Sequence, residues 1–242
     1  MSSRDPSATE RAFIVAVDGP AGAGKSTVSR QVADRLGFAL VDTGAIYRAV
    51  ALAASRAGIA FDDDARLGEI LDGLPISFGP RASGAPGVFL GEEDISDLIR
   101  TPEISLGASA VSARPVVRDG LLELQRRLAR EAPRGAVLEG RDIGTVVFPD
   151  ADAKFFLEGE PLVRAQRRHA ELVARGQGDI TLEQVLADQE KRDKDDRERP
   201  VAPLRAAADS ILLDSTPLTR DAVVDEIVAE VERRLAAKAS KR

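Results

Sequence analysis

The sequence contains no cysteine, no tryptophan and no asparagine, and it has a single histidine, His169. Without cysteine the chain forms no disulfide and offers no thiol nucleophile or thiolate metal ligand. One histidine excludes metal sites built from histidine clusters and leaves a Ser/His/Asp triad with only one candidate base. Because His169 lies in a strongly charged segment, we expect it to be a surface residue.

Long apolar runs are also missing, since no stretch approaches the roughly 20 residues of a membrane span. The opening "MSSRDPSATER" lacks the apolar core of a signal peptide, and we expect residues 1–11 to be a disordered leader. The net charge of −6 argues against a general nucleic-acid binder, because such binding depends on basic side chains that neutralise phosphates. The sequence therefore predicts a cytoplasmic protein with no nucleic-acid and no membrane partner.

Apolar, β-branched runs alternate with helical patterns along most of the chain. "AFIVAVDG" and "FALVD" predict buried strands, and the helical pattern after each of them ends in a glycine, Gly37 and Gly58. Later strands are predicted at "AVLEG", "AKFFLE" and "SILLDS", and a final helix at 219–235. This alternation predicts an α/β fold in which a parallel sheet is flanked by helices in three layers. We expect residues 12–238 to form one domain, followed by a basic tail at 239–242.

Two segments interrupt the alternation. Within residues 59–106, "LPISFG" and "GVFLGEED" are separated by the turn-forming "PRASGAP", which predicts a small antiparallel β insertion. From about 160 to 200 the chain is polar and helical, and we call this segment the arm. Near its end, in "KRDKDDRERP", Arg192, Asp196 and Arg199 are spaced to share one helical face. Such a run is usually a solvated surface, but two guanidiniums beside a carboxylate also suit a polyanion.

"GPAGAGKS" matches the phosphate-binding loop (P-loop) pattern G-x-x-x-x-G-K-[ST] and lies between a predicted strand and a helix. Its backbone amides surround phosphate oxygens, glycines permit the close approach, and the helix N-terminus favours negative charge. The motif places Lys25 at the β and γ phosphates and Ser26 at magnesium. We predict that ATP is bound by the consecutive residues Gly19, Pro20, Ala21, Gly22, Ala23, Gly24, Lys25, Ser26 and Thr27.

A P-loop alone does not name a reaction. A switch GTPase would read guanine with an Asn-Lys-x-Asp motif, which a chain without asparagine cannot contain. An oligomeric motor ATPase would be expected to be larger. A small-molecule kinase suits the length, and such an enzyme also needs an acceptor site that keeps water from the γ-phosphate.

Candidate acceptor residues follow the predicted strands, at the sheet edge where α/β proteins bind ligands. "DTGAIYR" supplies Arg48 and the only tyrosine, Tyr47, although Tyr47 taken alone could equally be a packing residue. "EGRD" at 139–142 supplies an arginine between two carboxylates. These segments offer an aromatic face for a base, arginines for a phosphate, and carboxylates for donors or for metal-bound water.

Six segments occur in an order and spacing that resembles the bacterial cytidylate kinase family: "GPAGAGKST", "DTGAIYR", "GEEDISDLIRTPEI", "EGRDIGTVVFPDA", "KRDKDDRERPVAPL" and "LLDST". The resemblance extends from about Ile14 to the last helix. "GRDIGTVVFPDA" and the β insertion distinguish it from adenylate, guanylate and thymidylate kinases. It implies a monomer that transfers the γ-phosphoryl group of MgATP to CMP or dCMP, with the insertion in a monophosphate-binding lobe and the arm as a mobile lid.

The resemblance also implies roles for individual residues. The catalytic residues would be Lys25, Arg141, Arg192 and Arg199. CMP would be bound by Thr43, Tyr47, Arg48, Ser109, Arg118, Arg141, Asp142, Arg192, Asp196 and Arg199. Magnesium would be held by Ser26 and, through water, by Glu139. Thr43 stands where the family often has serine, and Glu139 where aspartate also occurs, so both positions keep their functional group.

Elementary chemistry supports one of these roles independently. Cytosine carries a 4-amino donor that the carboxylate of Asp142 can accept, whereas uracil presents a carbonyl at the same position. A kinase for another acceptor, such as UMP or shikimate, remains an alternative at this stage, as does a non-catalytic nucleotide-binding protein.

Overall fold

The computed structural model describes residues 11–174, 176 and 179–240. Most of the predicted leader and the last two residues of the predicted tail lie outside these ranges. In the described part of the chain, no helix combines the length and the apolar character needed to cross a membrane.

A five-stranded sheet forms the centre of the molecule. Its strands are all parallel and lie in the order β2-β6-β1-β7-β8: β1 (Phe13–Asp18), β2 (Ala39–Asp42), β6 (Gly135–Gly140), β7 (Ala153–Glu158) and β8 (Ile211–Asp214). The central strand, β1, is buried along its whole length. Its alternate side chains enter two separate cores, because Ile14 and Ala16 pack on one face while Val15 and Val17 pack on the other. The predicted three-layer α/β fold is therefore confirmed.

Eight α-helices are described: α1 (Lys25–Leu36), α2 (Thr43–Arg56), α3 (Asp64–Leu71), α4 (Pro102–Ser112), α5 (Pro115–Arg130), α6 (Pro161–Ala174), α7 (Leu182–Glu198) and α8 (Arg220–Ser240). Helices α1 and α8 cover one face of the sheet, and α2 and α5 contribute to the core on the other. The predicted glycine at the end of α1 is confirmed, since Gly37 adopts a left-handed φ of 64° and caps the helix.

The predicted β insertion is a three-stranded antiparallel sheet: β3 (Ile76–Pro80), β4 (Pro86–Leu90) and β5 (Glu93–Asp94). The two predicted strands pair in the register Phe78 to Val88, and the short β5 adds a further strand on the outer side of β4. Arg81 holds the end of the insertion together, because its guanidinium pairs with Asp94 and Asp97.

Two sequence predictions require correction. The second strand, β2, is not fully buried, because it lies at the edge of the sheet and Ala39 is exposed. The last helix does not end at Leu235 but continues to Ser240. Lys238 pairs there with Asp152 at 3.0 Å and lies over the ring of Phe13, and these contacts hold the additional turn against the core.

Candidate active site

The P-loop connects β1 to α1 in a backbone path that requires glycine. Gly22 and Gly24 have φ of 73° and 86°, in the left-handed region. A Cβ at Gly19 would lie 2.2 Å from the carbonyl oxygen of Leu157, so the loop passes too close to β7 for any side chain. Helix α1 begins directly after Gly24 with no side-chain cap, which leaves its first amides available for an anion.

Lys25 and Glu139 are buried ionisable groups beside this loop. The Lys25 ammonium donates to the carbonyl oxygen of Pro20 at 2.7 Å. Burial, reinforced by the charge of Arg141, lowers the pKa of Lys25. Burial also raises the pKa of Glu139, with Asp42 contributing in the same direction. For each group, burial therefore outweighs the opposite charges nearby, which include the other member of the pair.

The residues predicted to hold magnesium lie together. The Ser26 hydroxyl donates to Oε2 of Glu139 at 2.8 Å, and Oε1 of Glu139 is buried with no hydrogen-bond partner among the described residues. A buried carboxylate oxygen without a donor is costly unless it meets a cation or water. One hydroxyl and one carboxylate also match the few protein ligands that Mg²⁺ uses in nucleotide sites. The residues present thus fit the ion.

A network of buried charges lies beyond the end of β6. Both oxygens of Asp142 accept from guanidiniums, Oδ2 from Arg118 at 2.5 Å and Oδ1 from Arg199 at 3.3 Å. Asp196 joins the network, because it pairs with Arg141 at 2.7 Å and with Arg199 at 3.4 Å. Burial lowers the pKa of Arg199. The structure therefore brings together five of the predicted acceptor residues, which come from α5, α7 and the segments following β6 and α7.

Three further predicted residues lie at the start of α2. The Arg48 guanidinium pairs with Asp42 at 3.0 Å, while its Nε is buried and has no hydrogen-bond partner in the part of the chain that the structure describes. The Thr43 hydroxyl donates to the carbonyl oxygen of Glu139 at 2.7 Å. Tyr47 is buried, and the Arg118 guanidinium lies 5.5 Å from the centre of its ring. Tyr47 and Arg118 thereby link α2 to the network around Asp142.

Two predicted residues are not bonded into this network. In the part of the chain described, the guanidinium of Arg192 forms no hydrogen bond or ion pair, although burial lowers its pKa. Ser109 is half-buried on α4, and no described residue forms a hydrogen bond with its hydroxyl. Arg192 is therefore a partly desolvated cation with no hydrogen-bond or ion-pair partner among the described residues, although the charges of Asp188 and Asp196 act on it from the same helix.

The structure adds site residues that sequence reasoning missed. Asp18, at the end of β1, accepts from the amides of Ile143 and Gly144 at 2.8 and 2.7 Å. These amides belong to a single π-helical turn, Ile143–Val147, which directly follows Asp142. Burial raises the pKa of Asp18 to about 6, despite both amide hydrogen bonds. The only sequence signal for Asp18 was its position at the last residue of a buried strand before the P-loop.

Two more missed residues, Arg164 on α6 and Asp193 on α7, lie against the P-loop. Asp193 accepts from the amide of Ala21 at 3.0 Å, and Arg164 donates to the carbonyl oxygen of Ala21 at 2.5 Å. In the sequence, Asp193 could not be distinguished from the other acidic residues of "KRDKDDRERP".

Comparisons with known proteins agree with this geometry. A family model described as cytidylate kinase matches residues 15–233. A cytidylate kinase of Geobacter sulfurreducens is 52% identical over 227 residues, which cover 94% of this chain and 96% of that protein. Cytidylate kinases of Geobacter sp. strain M21 and Citrifermentans bemidjiense are 51% and 50% identical, with the same coverage of both chains. The chain, with its P-loop beside a buried arginine and aspartate network, belongs to the cytidylate kinase family.

Proposed function

We propose that this protein transfers the γ-phosphoryl group of ATP to CMP or dCMP, producing ADP and CDP or dCDP. The observation that carries the proposal is the buried carboxylate of Asp142, held between Arg118 and Arg199 close to a P-loop. A carboxylate suits the amino group of cytosine, and guanidiniums suit the acceptor phosphate. The relatives that match almost the whole chain at 50% to 52% identity are named cytidylate kinases.

On the donor side, the P-loop amides and the first turn of α1 would surround the ATP phosphates. Lys25 now donates to Pro20, and it would transfer this hydrogen bond to the β and γ phosphates. Because burial disfavours the charged ammonium, the negative charge of a bound polyanion would further stabilise its ionised form.

We propose that Mg²⁺ accompanies ATP and is held by Ser26, with Glu139 acting through water. The buried, unpartnered Oε1 of Glu139 supports this assignment. When bound, the ion would neutralise charge on the β and γ phosphates. The Ser26 hydroxyl must then release its present bond to Glu139.

On the acceptor side, Asp142 would accept a hydrogen bond from the amino group of cytosine, while Thr43, Tyr47 and Ser109 line the base pocket. Arg118 pairs with Asp142, and it also lies over the ring of Tyr47. The acceptor phosphate would replace Asp42 as the partner of Arg48, whose Nε is unpaired at present. Asp196 would accept from a ribose hydroxyl.

The transfer itself needs no general base. The second pKa of a phosphate monoester is about 6, so the acceptor oxygen is already ionised at neutral pH. That oxygen forms the new bond to the γ-phosphorus while the bond to the ADP oxygen breaks, and ADP leaves with the electron pair. Arg141, Arg192 and Arg199 would stabilise the charge spread over the transferring group. Arg192 suits this role because it is partly buried and no described residue forms a hydrogen bond or ion pair with its guanidinium.

We further propose that the protein acts as a monomer in the cytoplasm and that the arm closes over both substrates. Closure would bring Arg192 and Arg199 onto the phosphates and exclude water from the γ-phosphorus. The present pairing of Asp196 with Arg141 and Arg199 would then be exchanged for contacts with substrate.

Phosphorus NMR of a mixture of MgATP, CMP and the protein tests the reaction directly. We expect the signals of ATP and CMP to fall together while those of ADP and CDP rise in equal amounts. Release of inorganic phosphate with CMP intact would make the protein an ATPase. An unchanged spectrum would mean that CMP is not the acceptor.

A further inference from the structure

We propose that Arg164 and Asp193 are positioning residues that fix the P-loop to the arm and thereby set the affinity for ATP. This inference rests on the proposed function only in taking the P-loop as the ATP site. It assigns a role to a side-chain pair that lies outside the acceptor site and makes no contact with the reacting atoms.

The pair is fully enclosed. The side chains of Arg164 and Asp193 are each 3% exposed, and Nη1 of Arg164 lies 2.8 Å from Oδ2 of Asp193. This contact is an ion pair, while the hydrogen bond from the same nitrogen is directed at the P-loop. Two opposite charges that are both removed from water depend on each other, because loss of one leaves the other uncompensated.

Both members of the pair bind the same P-loop residue. Asp193 accepts from the amide of Ala21, and Arg164 donates to its carbonyl oxygen. Arg164 also donates through Nε to the carbonyl oxygen of Gly159 at 2.9 Å, directly after β7. The Arg164 side chain is thus fixed by the central sheet, and it fixes Ala21 in turn. A loop residue held at both its amide and its carbonyl group has little freedom to rotate.

A neighbouring residue on α7 supports the same contact. Gln189 is buried, and its Nε2 lies so close to Gly22 that a Cβ there would be 2.3 Å away. Helix α7 therefore lies against the middle of the P-loop, one helical turn before Asp193. The Oε1 atom of Gln189 has no hydrogen-bond partner among the described residues.

Two consequences follow for the ATP site. The P-loop amides that meet the phosphates are held in place before ATP arrives, which lowers the cost of ordering them on binding. Arg192 directly precedes Asp193 on α7. The hydrogen bond between Asp193 and Ala21 therefore also fixes the position of the Arg192 backbone relative to the ATP phosphates. The base of the arm is then anchored beside the P-loop, so Arg192 and Arg199 would reach the phosphates by movement of their side chains.

Calorimetric titrations of the parent protein and its variants with MgATP alone, and separately with CMP alone, test the proposal. Asp193→Ala removes the contacts of the carboxylate with both Arg164 and Ala21, and Asp193→Asn removes the charge while keeping an oxygen for the Ala21 amide. We expect Asp193→Ala to weaken MgATP binding about tenfold or more and Asp193→Asn to weaken it less. The Kd for CMP should change less than about twofold in both variants, because the acceptor site does not contact the pair.

Glu123→Gln is the control. It removes the charge that pairs with Arg130 on the exposed surface of α5, outside the residues assigned to either substrate, and it should leave both dissociation constants unchanged. If Asp193→Ala does not fold, the same titrations with Asp193→Asn and Arg164→Lys test the proposal. A normal Kd for MgATP in folded variants, with only a lower Tm, would reduce the pair to a structural contact and overturn the proposal.

The titrations separate this inference from the proposed function. MgATP binding is measured without any acceptor, so a parent protein that binds ATP but not CMP would contradict the proposed acceptor and leave the test of the pair intact. Equal weakening of MgATP and CMP binding in the Asp193 variants would indicate general disruption of the fold and would count against the positioning role.

Discussion

At the scale of single residues, we expect Asp142 to determine which base the acceptor site binds. Asp142 is buried, and its two oxygens accept from two guanidiniums, so it presents hydrogen-bond acceptors to a base. Cytosine can satisfy it, whereas the carbonyl of uracil would face it lone pair against lone pair. An unsatisfied buried polar pair costs about 1 to 3 kcal/mol, which corresponds to a preference of roughly tenfold to more than a hundredfold.

We expect Asp142→Asn to lose most of the preference for CMP over UMP, because an amide can donate to the carbonyl of uracil. Asp142→Ala should lose it as well, although this variant leaves two buried guanidiniums without their partner. The check is the ratio of kcat/KM for CMP to kcat/KM for UMP, with KM for ATP as the internal control. A ratio equal to that of the parent protein would remove Asp142 from base recognition.

Arg192 differs from Arg118, Arg141 and Arg199, because no described residue forms an ion pair with it. If it stabilises the transferring phosphoryl group, Arg192→Ala should lower kcat by about a hundredfold or more while the Kd for MgATP stays within about threefold. Single-turnover measurements at saturating ATP and CMP give the rate of the chemical step. A normal rate in this variant would exclude Arg192 from the mechanism.

At the scale of elements, the hydrophobic periodicity of the sequence and the P-loop pattern predicted most of the fold. The burial of β1, β6 and β7 follows from apolar runs that can be read directly in the chain. The partial exposure of β2 could not be predicted, because it depends on strand order, which is set by the packing of the whole sheet. The end of α8 was missed for a similar reason, since Lys238 is held by Asp152, which is 86 residues earlier in the chain.

The residues of the site likewise divide into those that a local sequence pattern predicts and those that only the fold brings together. Glycines and lysine at fixed spacing predict a P-loop, because phosphate binding there uses consecutive residues. The contact of Ala21 with Asp193 joins residues 172 positions apart, and that of Asp18 with Ile143 joins residues 125 apart. No local pattern indicates such partners. The family resemblance supplied the acceptor residues, but neither of these supporting carboxylates.

One prediction concerns how the stability of the protein depends on pH through an ion-pair cluster on helix α8. The guanidiniums of Arg233 and Arg234 lower the pKa of Glu230 to about 2. Because the folded pKa lies below that of the unfolded chain, this carboxylate stabilises the protein at neutral pH, and the stabilisation is lost as pH falls from about 4.5 to 2. The effect should be about 1 kcal/mol or less, since both arginines are partly exposed.

Urea unfolding of Glu230→Gln checks this expectation. The variant should be less stable than the parent protein at pH 7, and the difference should shrink as the pH approaches 2. Glu232→Gln, on the same helix and without an ion pair among the described residues, is the control and should show no such trend. A difference between parent and Glu230→Gln that stays constant with pH would contradict the assignment.

At the scale of the whole molecule, the parallel sheet places two sites side by side. The P-loop follows β1, and the Asp142 network follows β6, which pairs with β1 in parallel register. Asp18 links them, because it ends β1 and binds the turn after Asp142. The arm contacts both sites, through Asp193 at the P-loop and through Asp196 and Arg199 at the acceptor network. This arrangement would hold two phosphorylated substrates side by side beneath the arm.

The most direct test of the central claim is the initial rate of ADP release with MgATP and, in parallel, CMP, dCMP, UMP, AMP and GMP. We expect rapid turnover with CMP and dCMP and slow turnover with the other three. Against UMP the reason is that cytosine presents its 4-amino donor to Asp142 where uracil presents a carbonyl. Comparable rates with UMP, or little activity with all five monophosphates, would contradict this expectation.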